Sequence, residues 1–327
     1  MVKVFDGQGA PQVMDQLLAK GGEGAIYPLR GRPEILIKVY HSEILKKRGR
    51  ALQEKVEAMC KIEELRNERH LSWPLLSVYD EHKRWIGYAM RRANGQPMFK
   101  LAHTMLYKKH FPSLNRKRVT AYLINLLELM RFLHSRGVMM GDCNLQNILC
   151  DPASDAITLI DCDSYQVVIG NKFFPCPVGM ADMTAKEQQG ADFSKVRRTE
   201  MSEAFSIAII MFMALMLGRH PYDIVGGSER AENLRRGDFP YGKGNKGIPR
   251  GRWYNIWSHM PHRIKALFIR TFMQGANDPS QRATLDEWLE VFDLYRKEMA
   301  KGWHEVDMEP RDPKKSEYRG GNAEVVI

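Results

Sequence analysis

The local pattern changes along the chain, and this change constrains the fold more than any other feature of the sequence. Short β-rich runs separated by turn residues fill the first ninety residues, at 25–29, 35–40 and 85–90. From residue 116 onward the pattern becomes helical. Strands first and helices later predict an α+β fold with two lobes, joined near 91–95, and a cleft between them.

Three stretches predict the main helices. Residues 43–66 lack Pro, contain a single glycine and are dense in Glu, Lys, Leu and Arg. Over 118–134 the apolar residues recur on one face, and Gly137 ends that helix. Further helices are predicted at about 202–217, 262–273 and 284–299.

The composition allows a packed core. Of the 327 residues, 44% are hydrophobic and 9% aromatic, which excludes wholesale disorder. The longest apolar run, 204–217, is shorter than the roughly 20 residues of a spanning helix and predicts a buried core helix. No signal peptide is visible, and five cysteines without a CxxC pair argue against disulfides and structural zinc. We therefore expect a soluble cytoplasmic protein.

The net charge of +10 suggests an anionic partner, whether nucleic acid, a membrane surface or a phosphate ligand. Counted by segment, the charge is +5 over 1–93, +6 over 94–300 and −1 over 301–327, so the tail is not a basic arm. The clusters of basic residues have no stacking aromatics interleaved with them. These observations argue against a nucleic-acid partner, and no membrane association is expected.

A glycine-rich stretch precedes a lysine on a predicted strand. Gly21, Gly22 and Gly24 would let the backbone pass close to a polyphosphate, and Lys38 lies 14 residues after Gly24. A surface turn without a ligand is the alternative for the glycines alone. The lysine in an otherwise apolar strand favours phosphate binding.

Two aspartates and an asparagine form the second pattern. Asp142 is followed by Asn147 five residues on, and Asp161 follows 14 residues after Asn147, each beside β-rich apolar segments. Asn147 and Asp161 offer the hard oxygen ligands that suit Mg²⁺, and Asp142 could accept a proton from an attacking hydroxyl. Polar residues that cap turns are the alternative, but three such groups at this spacing favour catalysis.

Taken together, these motifs resemble the protein-kinase fold over roughly residues 14–297. The resemblance is closest to a branch of bacterial Hanks-type (eukaryotic-like) kinases with the motifs GGEGxVY, GDxNxxN and LIDxDSFQ. Here these read GGEGAIY over 21–27, GDCNLQN over 141–147 and LIDCDSYQ over 159–166. Members of this branch often carry a helix-hairpin-helix module, which this sequence does not show.

The resemblance implies a role for each matching residue. Lys38 corresponds to the strand lysine that holds the nucleotide phosphates, and Asp142 to the catalytic-loop aspartate. Asn147 and Asp161 correspond to the metal ligands. The nucleotide, ATP with Mg²⁺ or Mn²⁺, would be bound by Gly21, Gly22, Gly24, Ile26, Lys38, Arg91 and Ala93.

The resemblance also implies a bilobal division of the chain. Residues 1–93 would form a small β-rich N-lobe and 94–300 a larger helical C-lobe, while 301–327 would be a mobile extension or a docking segment. Glu187 resembles the glutamate that closes the activation segment, and Arg282 resembles its ion-pair partner.

The catalytic segments depart from the kinase pattern at three positions. Gly141 stands where an arginine usually precedes the catalytic aspartate, which makes the chain non-RD and argues against activation by loop phosphorylation. Asn144 replaces the lysine that usually steadies the γ-phosphate. Asp163 replaces a glycine and is expected to add a carboxylate near the metal.

The helix glutamate that usually pairs with the strand lysine has no clear counterpart. Its expected place falls on Lys55, and Glu54 and Glu57 lie on neighbouring faces of that register. Either the helix is rotated, so that one of these glutamates pairs with Lys38, or the pairing is absent.

The leading hypothesis is a serine/threonine protein kinase. A small-molecule kinase of the aminoglycoside-phosphotransferase type and a pseudokinase that acts as a signalling scaffold stay open as alternatives. The partners implied by the resemblance are a Ser- or Thr-bearing protein substrate, a metal-dependent phosphatase and a von Willebrand-type domain protein. Some relatives of this branch are encoded in tellurite-resistance clusters.

Overall fold

The computed structural model describes residues 3–242, 244 and 246–314. The chain divides into two compact units, one formed by Met1–Gly95 with Thr158–Phe174 and the other by Gln96–Ile157 with Pro175–Ile327. The first break lies two residues beyond the predicted boundary at 93. The segment 158–174, which was predicted to belong to the C-lobe, instead belongs to the strand-rich unit.

Backbone pairing explains why 158–174 joins the first unit. The Leu159 N–H donates to His70 O at 2.9 Å, and the Ser72 N–H donates to Leu159 O at 2.9 Å. The two stretches therefore run parallel beside each other, with Leu71 paired to Leu159. This pairing fixes the segment that carries Asp161 and Asp163 to the unit that carries Lys38.

The strands and helices of the described residues follow one another in groups along the chain. The strands are β1 (Lys3–Phe5), β2 (Pro11–Val13), β3 (Ala19–Lys20), β4 (Gly24–Leu29), β5 (Arg32–Tyr40), β6 (Pro74–Tyr79), β7 (Trp85–Arg91), β8 (Gln96–Pro97), β9 (Ile148–Cys150), β10 (Ile157–Leu159), β11 (Val167–Ile169) and β12 (Lys172–Phe174). The helices are α1 (Ser42–Met59), α2 (Glu63–Asn67), α3 (Met98–Leu101), α4 (Leu106–His110), α5 (Arg116–His134), α6 (Glu200–Leu215), α7 (Arg230–Arg236), α8 (Arg252–His259), α9 (His262–Phe272), α10 (Gln274–Asn277) and α11 (Leu285–Ala300).

The first unit is built on an antiparallel sheet of seven strands in the order β2-β1-β6-β7-β5-β4-β3. Because side chains alternate between faces along a strand, Ile35 and Ile37 of β5 join one apolar cluster. Leu36 and Tyr40 join a second cluster that includes Leu52 of α1. Lys38 falls on the face of Leu36 and Tyr40, so its ammonium group enters the side of the sheet that α1 covers.

The helix of this unit is shorter than predicted. The predicted segment 43–66 forms α1 and α2, and α1 is kinked at Arg48, next to Gly49. Burial of Leu52, Val56 and Met59 holds α1 against the sheet.

The second unit packs its helices around α6. The predicted core helix is confirmed, because the side chains of α6 are buried on nearly every face, including Phe205 and Phe212. Thr199 and Thr284 begin α6 and α11 with reciprocal side-chain caps. Within the part of the chain that the structure describes, no helix is both long and apolar enough to cross a bilayer.

The residues after α11 continue to pack on the second unit. The Nε of Arg116, a residue 2% exposed, donates to Asp307 O at 2.9 Å, and Met308 is 4% exposed. These contacts do not fit a mobile extension for the described part of 301–327. The rest of that prediction, 315–327, lies outside the described residues.

Candidate active site

The predicted phosphate loop is the turn of a β-hairpin in the first unit. Strands β3 and β4 pair through Lys20 and Ala25, and the Gly21 N–H donates to Gly24 O at 2.9 Å. The turn is tied to the start of α1, since the His41 N–H donates to Glu23 O at 2.8 Å. The hairpin therefore presents an exposed turn that is fixed at its base.

The three glycines of this turn serve different purposes. A Cβ on Gly24 would lie 2.5 Å from Val39 O, so the close approach of β5 requires glycine there. A Cβ on Gly22 would meet nothing within 4 Å, and one on Gly21 would meet only Gly24 O at 3.9 Å. Packing accounts for Gly24 alone, which leaves the other two open to a role in binding.

Lys38 belongs to a cluster of hydrogen-bonded side chains within the first unit. Its Nζ donates to Asp161 Oδ1 at 2.8 Å and to Asp163 Oδ1 and Oδ2 at 2.8 and 2.7 Å. The hydroxyls of Tyr40 and Tyr88 donate to the two oxygens of Asp163 at 2.5 and 2.6 Å. The structure thus brings together Lys38 and Asp161, two residues predicted from separate motifs.

The opposite charges in this cluster stabilise each other. Burial lowers the pKa of Lys38, but the carboxylates of Asp163 and Asp161 outweigh burial and raise it above its ordinary value. Burial raises the pKa of Asp163, and the Lys38 ammonium with the two tyrosine hydroxyls reverses this and lowers it to about 2. Lys38 and Asp163 are therefore a charged pair inside the protein.

The two aspartates differ in exposure. The Asp161 side chain is 43% exposed, whereas that of Asp163 is 2% exposed. Asp161 also has a left-handed backbone, with φ 58°, immediately before a 3-10 turn over Cys162–Ser164. A non-glycine residue in this region is uncommon, although Asp adopts it more readily than most residue types. Asp163, expected near a metal, instead faces Lys38.

The remaining predicted nucleotide contacts are also in the first unit. Ile26 on β4 pairs with Lys38 on β5 and packs against the cluster that includes Tyr40. Arg91 ends β7, and Ala93 follows it in the segment that leads out of the unit. The structure places these residues on neighbouring strands or at their ends.

The predicted catalytic loop lies in the second unit. Asp142 Oδ2 accepts from Asn144 Nδ2 at 3.0 Å and from Asn147 Nδ2 at 3.2 Å. Asn144 Oδ1 in turn accepts from the Asn147 N–H at 3.2 Å. The structure therefore brings Asp142 and Asn147 together, and Asn144 occupies the position of the missing lysine as an amide that orients Asp142.

A buried glutamate that belongs to none of the sequence motifs supports this loop. Glu203 of α6 is 2% exposed; its Oε1 accepts from the Gly141 N–H at 2.7 Å, and its Oε2 accepts from His134 Nε2 at 2.6 Å. It thus links α5, α6 and the loop that holds Asp142. An acidic residue directly before the longest apolar run was the available signal.

The missing arginine before Asp142 has a steric cause. Gly141 has φ 74°, and a Cβ there would lie 2.6 Å from Cys176 Sγ and 3.0 Å from Arg198 Nε. Arg198, 5% exposed, donates to Val178 O at 2.6 Å and stacks on Phe193 at 4.5 Å. A buried cation therefore lies beside the loop.

The ion pair inferred for the end of the activation segment is confirmed. Arg282 donates from both terminal nitrogens to the Glu187 carboxylate at 2.7 and 2.8 Å. Its Nε also donates to Gly275 O at 2.7 Å, and its side chain is fully buried. A bidentate pair anchored in this way fixes the segment before α6 to the helices after it.

Each unit offers one residue whose side-chain oxygen has the chemistry of a metal ligand. Asp161 supplies a partly exposed carboxylate and Asn147 an amide, the oxygen ligands that Mg²⁺ accepts. Across the described residues, no three His, Cys, Asp or Glu side chains form a cluster that could hold a metal ion alone. Mg²⁺ commonly takes one or two protein ligands, with phosphate oxygens and water completing its coordination. The side chain of either residue has the chemistry of such a ligand.

No protein-family model matches the chain. Over 313 residues it is 26% identical to Protein kinase YegI of Escherichia coli strain K12, an alignment that covers 92% of this chain and 47% of that protein. The chain is similar to a bacterial protein kinase. Protein kinase YegI of Escherichia coli O157:H7 is also 26% identical, over 297 residues that cover 87% of this chain and 45% of that one.

The chain therefore spans about half the length of the curated relatives that it matches. Its α+β architecture, an antiparallel sheet in one unit and a helical second unit, is compatible with a kinase-like fold. The likeness supports a protein kinase in general terms.

Proposed function

We propose that the chain is an ATP- and Mg²⁺-dependent protein kinase that transfers the γ-phosphoryl group to Ser or Thr hydroxyls of proteins. The observation that carries this proposal is the contact between Lys38 and Asp161, which lie 123 residues apart and meet at 2.8 Å. Two motifs that a kinase needs at one nucleotide thus lie side by side in the first unit.

Each unit contributes one part of the proposed machinery, and we propose that the two act as the lobes of a bilobal kinase on one nucleotide. In the first unit, the exposed turn at Gly21 and Gly22 offers backbone to the phosphates, and Lys38 supplies positive charge beside Asp161. Ile26, Arg91 and Ala93 are the proposed contacts for the rest of the nucleotide.

The second unit would handle the proton of the substrate hydroxyl. Asp142 is half-buried, and its carboxylate is oriented by the amides of Asn144 and Asn147. An oriented carboxylate can hold the hydroxyl and accept its proton at Oδ as the oxygen attacks. Glu203 keeps the loop in place by accepting from the Gly141 N–H.

Asp161 and Asn147 are the residues that would hold Mg²⁺, which offsets the charge of the transferred phosphoryl group when it is bound. Mn²⁺ would suit the same oxygen ligands. The proposed partners are a Ser- or Thr-bearing protein and, by the resemblance, a metal-dependent phosphatase and a von Willebrand-type domain protein.

A phosphotransfer assay tests the proposal. The purified chain is incubated with γ-labelled ATP, Mg²⁺ and generic protein substrates, and the labelled amino acids are identified after hydrolysis. Asp142→Asn is expected to lower the rate about 10²- to 10⁴-fold, because the carboxylate that accepts the proton is lost. Asp151→Asn is the matched control, since the Asp151 side chain caps the turn after β9 through Ala153 and Ser154.

The outcomes separate the alternatives. Label on Ser or Thr that depends on Asp142 supports the proposal. Transfer to small alcohols but not to proteins would favour a small-molecule kinase, although the Glu187–Arg282 pair resembles a protein-kinase feature. Nucleotide binding without any transfer would favour a pseudokinase scaffold.

A further inference from the structure

Asp163 has the environment of a counter-ion and not of a metal ligand. Its side chain is 2% exposed, and its oxygens accept from Lys38 Nζ at 2.7 and 2.8 Å, from Tyr40 at 2.5 Å and from Tyr88 at 2.6 Å. A buried carboxylate needs such donors, because an unpaired charge in the interior is costly. These four hydrogen bonds hold the carboxylate in the interior of the unit.

Glu54 and Glu57 of α1 contact residues other than Lys38. Glu54 forms an exposed ion pair with Lys172. Glu57 accepts from Gln53 Nε2 at 2.8 Å and from the Tyr79 hydroxyl at 3.2 Å. Within the described contacts, neither glutamate reaches Lys38, which answers the question that the sequence left open.

We propose that Asp163, clamped by Tyr40 and Tyr88, is the positioning residue for Lys38 and takes the place of the missing helix glutamate. The inference rests on the proposed function, since Lys38 matters as a phosphate-binding lysine. It assigns to the 3-10 turn after Asp161 a task that the kinase pattern gives to α1.

The surroundings of Asp163 make it suited to this task. Lys38 and Tyr40 lie on β5, and Tyr88 lies on the neighbouring strand β7, directly opposite Lys38 in the register. Groups mounted on paired strands are held more precisely than groups on a loop. The two phenols therefore fix the carboxylate, and the carboxylate fixes the lysine.

Asp161 and Asp163 lie two residues apart but differ in their exposure and in their contacts with Lys38. Asp161 contacts Lys38 through one oxygen and keeps a side chain that is 43% exposed. Asp163 contacts Lys38 through both oxygens and is almost inaccessible. Lys38 thus keeps a buried counter-charge whatever the more exposed Asp161 binds.

The test compares Asp163→Asn with Glu54→Gln and Glu57→Gln in the full chain, after circular dichroism confirms that each variant is folded. The first measurement is the acylation rate of the Lys38 amine by N-acetoxysuccinimide, read by peptide mass spectrometry against the exposed Lys195. Asp163→Asn is expected to raise this rate about tenfold, because the amine must leave its carboxylate before it can react. The two glutamate variants are expected to match the wild type.

The second measurement is steady-state kinetics with ATP and Mg²⁺. Asp163→Asn is expected to lower kcat about 100-fold, as a misplaced catalytic group does, with the α1 variants unchanged. If Asp163→Asn fails to fold, Tyr40→Phe/Tyr88→Phe keeps the carboxylate and is expected to raise Lys38 acylation by a smaller factor.

The two ways of failing are distinct. Wild-type protein without phosphotransfer, but with Lys38 acylation controlled by Asp163, overturns the proposed function and leaves the role of Asp163 standing. An active wild type whose kcat and Lys38 acylation are unchanged by Asp163→Asn overturns the role of Asp163. The same result follows if Glu54→Gln or Glu57→Gln reproduces the effect of Asp163→Asn.

Discussion

At position 38 a positive charge lies almost out of contact with water. The Lys38 side chain is 8% exposed, and its ammonium is neutralised by Asp163, which is still more deeply buried. Removing one member of a buried pair leaves the other without compensation. A substitution at Lys38 therefore affects folding as well as any role in phosphate binding.

Lys38→Met is expected to lower the free energy of unfolding by about 3–5 kcal/mol, because it leaves the Asp163 carboxylate buried and unpaired. Urea denaturation followed by tryptophan fluorescence measures the change. Lys172→Met is the control: its side chain is 66% exposed, and a change within about 0.5 kcal/mol is expected. Adding Asp163→Asn to Lys38→Met should restore part of the loss. Equal stability of Lys38→Met and Lys172→Met would contradict the buried pair.

His220 is a buried residue whose neutral form is fixed by its neighbours. Its Nε2 lies 2.8 Å from Asp182 O and its Nδ1 accepts from the Tyr222 N–H at 3.2 Å, which satisfies one neutral tautomer. Burial, together with the positive charge of Arg230, lowers the pKa of His220 to about 4, although Asp223 and Asp182 oppose the shift. The unfolded chain binds a proton near pH 6.5, so it binds more protons than the folded chain between these values.

Stability is therefore expected to be full above pH 6.5 and to fall as the pH approaches 4, by up to about 1.4 kcal/mol per pH unit from this residue. His220→Gln, which keeps a donor and an acceptor, should show a shallower decline. Urea midpoints at pH 7, 6 and 5 for both proteins provide the comparison. Identical slopes in the wild type and the variant would show that His220 is not the group responsible.

At the scale of single elements, the β3–β4 hairpin contains one glycine that packing requires and one that it does not. Gly24→Ala is expected to destabilise the first unit by about 1–3 kcal/mol, because its Cβ would press on Val39 O at 2.5 Å and push β4 from β5. Gly22→Ala on the same turn meets nothing within 4 Å and should cost little. Thermal denaturation compares the two, and equal losses would refute the packing argument.

The longer elements could be predicted from the sequence because their pattern is local. The strands around 35–40 and 85–90 and the helices around 118–134 and 284–299 appear as β5, β7, α5 and α11. The three-residue strands β1 and β2 were missed, since so short a run carries no periodicity.

The candidate site was predictable only in part. Motif spacing identified Lys38, Asp142, Asn147 and Asp161 as candidates. The contact of Asp163 with Tyr40 and Tyr88 depends on residues 123 and 75 positions away, which no local pattern reveals. The same holds for Glu203, whose partner Gly141 lies 62 positions away.

At the scale of the whole molecule, the segment after α11 is part of the folded second unit. Deleting 301–327 removes the acceptor at Asp307 from the buried Arg116 and exposes the surface under Met308. We expect the free energy of unfolding to fall by about 2–4 kcal/mol, since the buried Arg116 guanidinium keeps Ile256 O at 3.4 Å but loses its acceptor at 2.9 Å. Urea denaturation measures it, with Trp303→Ala as the control because Trp303 is 63% exposed. A deletion variant as stable as this control would show that the segment contributes nothing.

The division into units was predicted near its first break but not at its second. The change from strand-like to helical patterns predicted a joint near 91–95, and the observed break follows Gly95. The return of 158–174 to the first unit depends on backbone pairing between His70, Ser72 and Leu159, which leaves no trace in composition.

Because segment 158–174 belongs to the first unit, that unit cannot be completed before this segment has been synthesised. Lys38 leaves the ribosome early, but its counter-ion Asp163 is 125 residues further along the chain. At about 5–20 residues per second, the ribosome takes roughly 6–25 s to make that stretch. Throughout this interval the sheet around Lys38 lacks the group that neutralises it, so the first unit can finish folding only after Gln96–Ile157, the first stretch of the second unit, has been made.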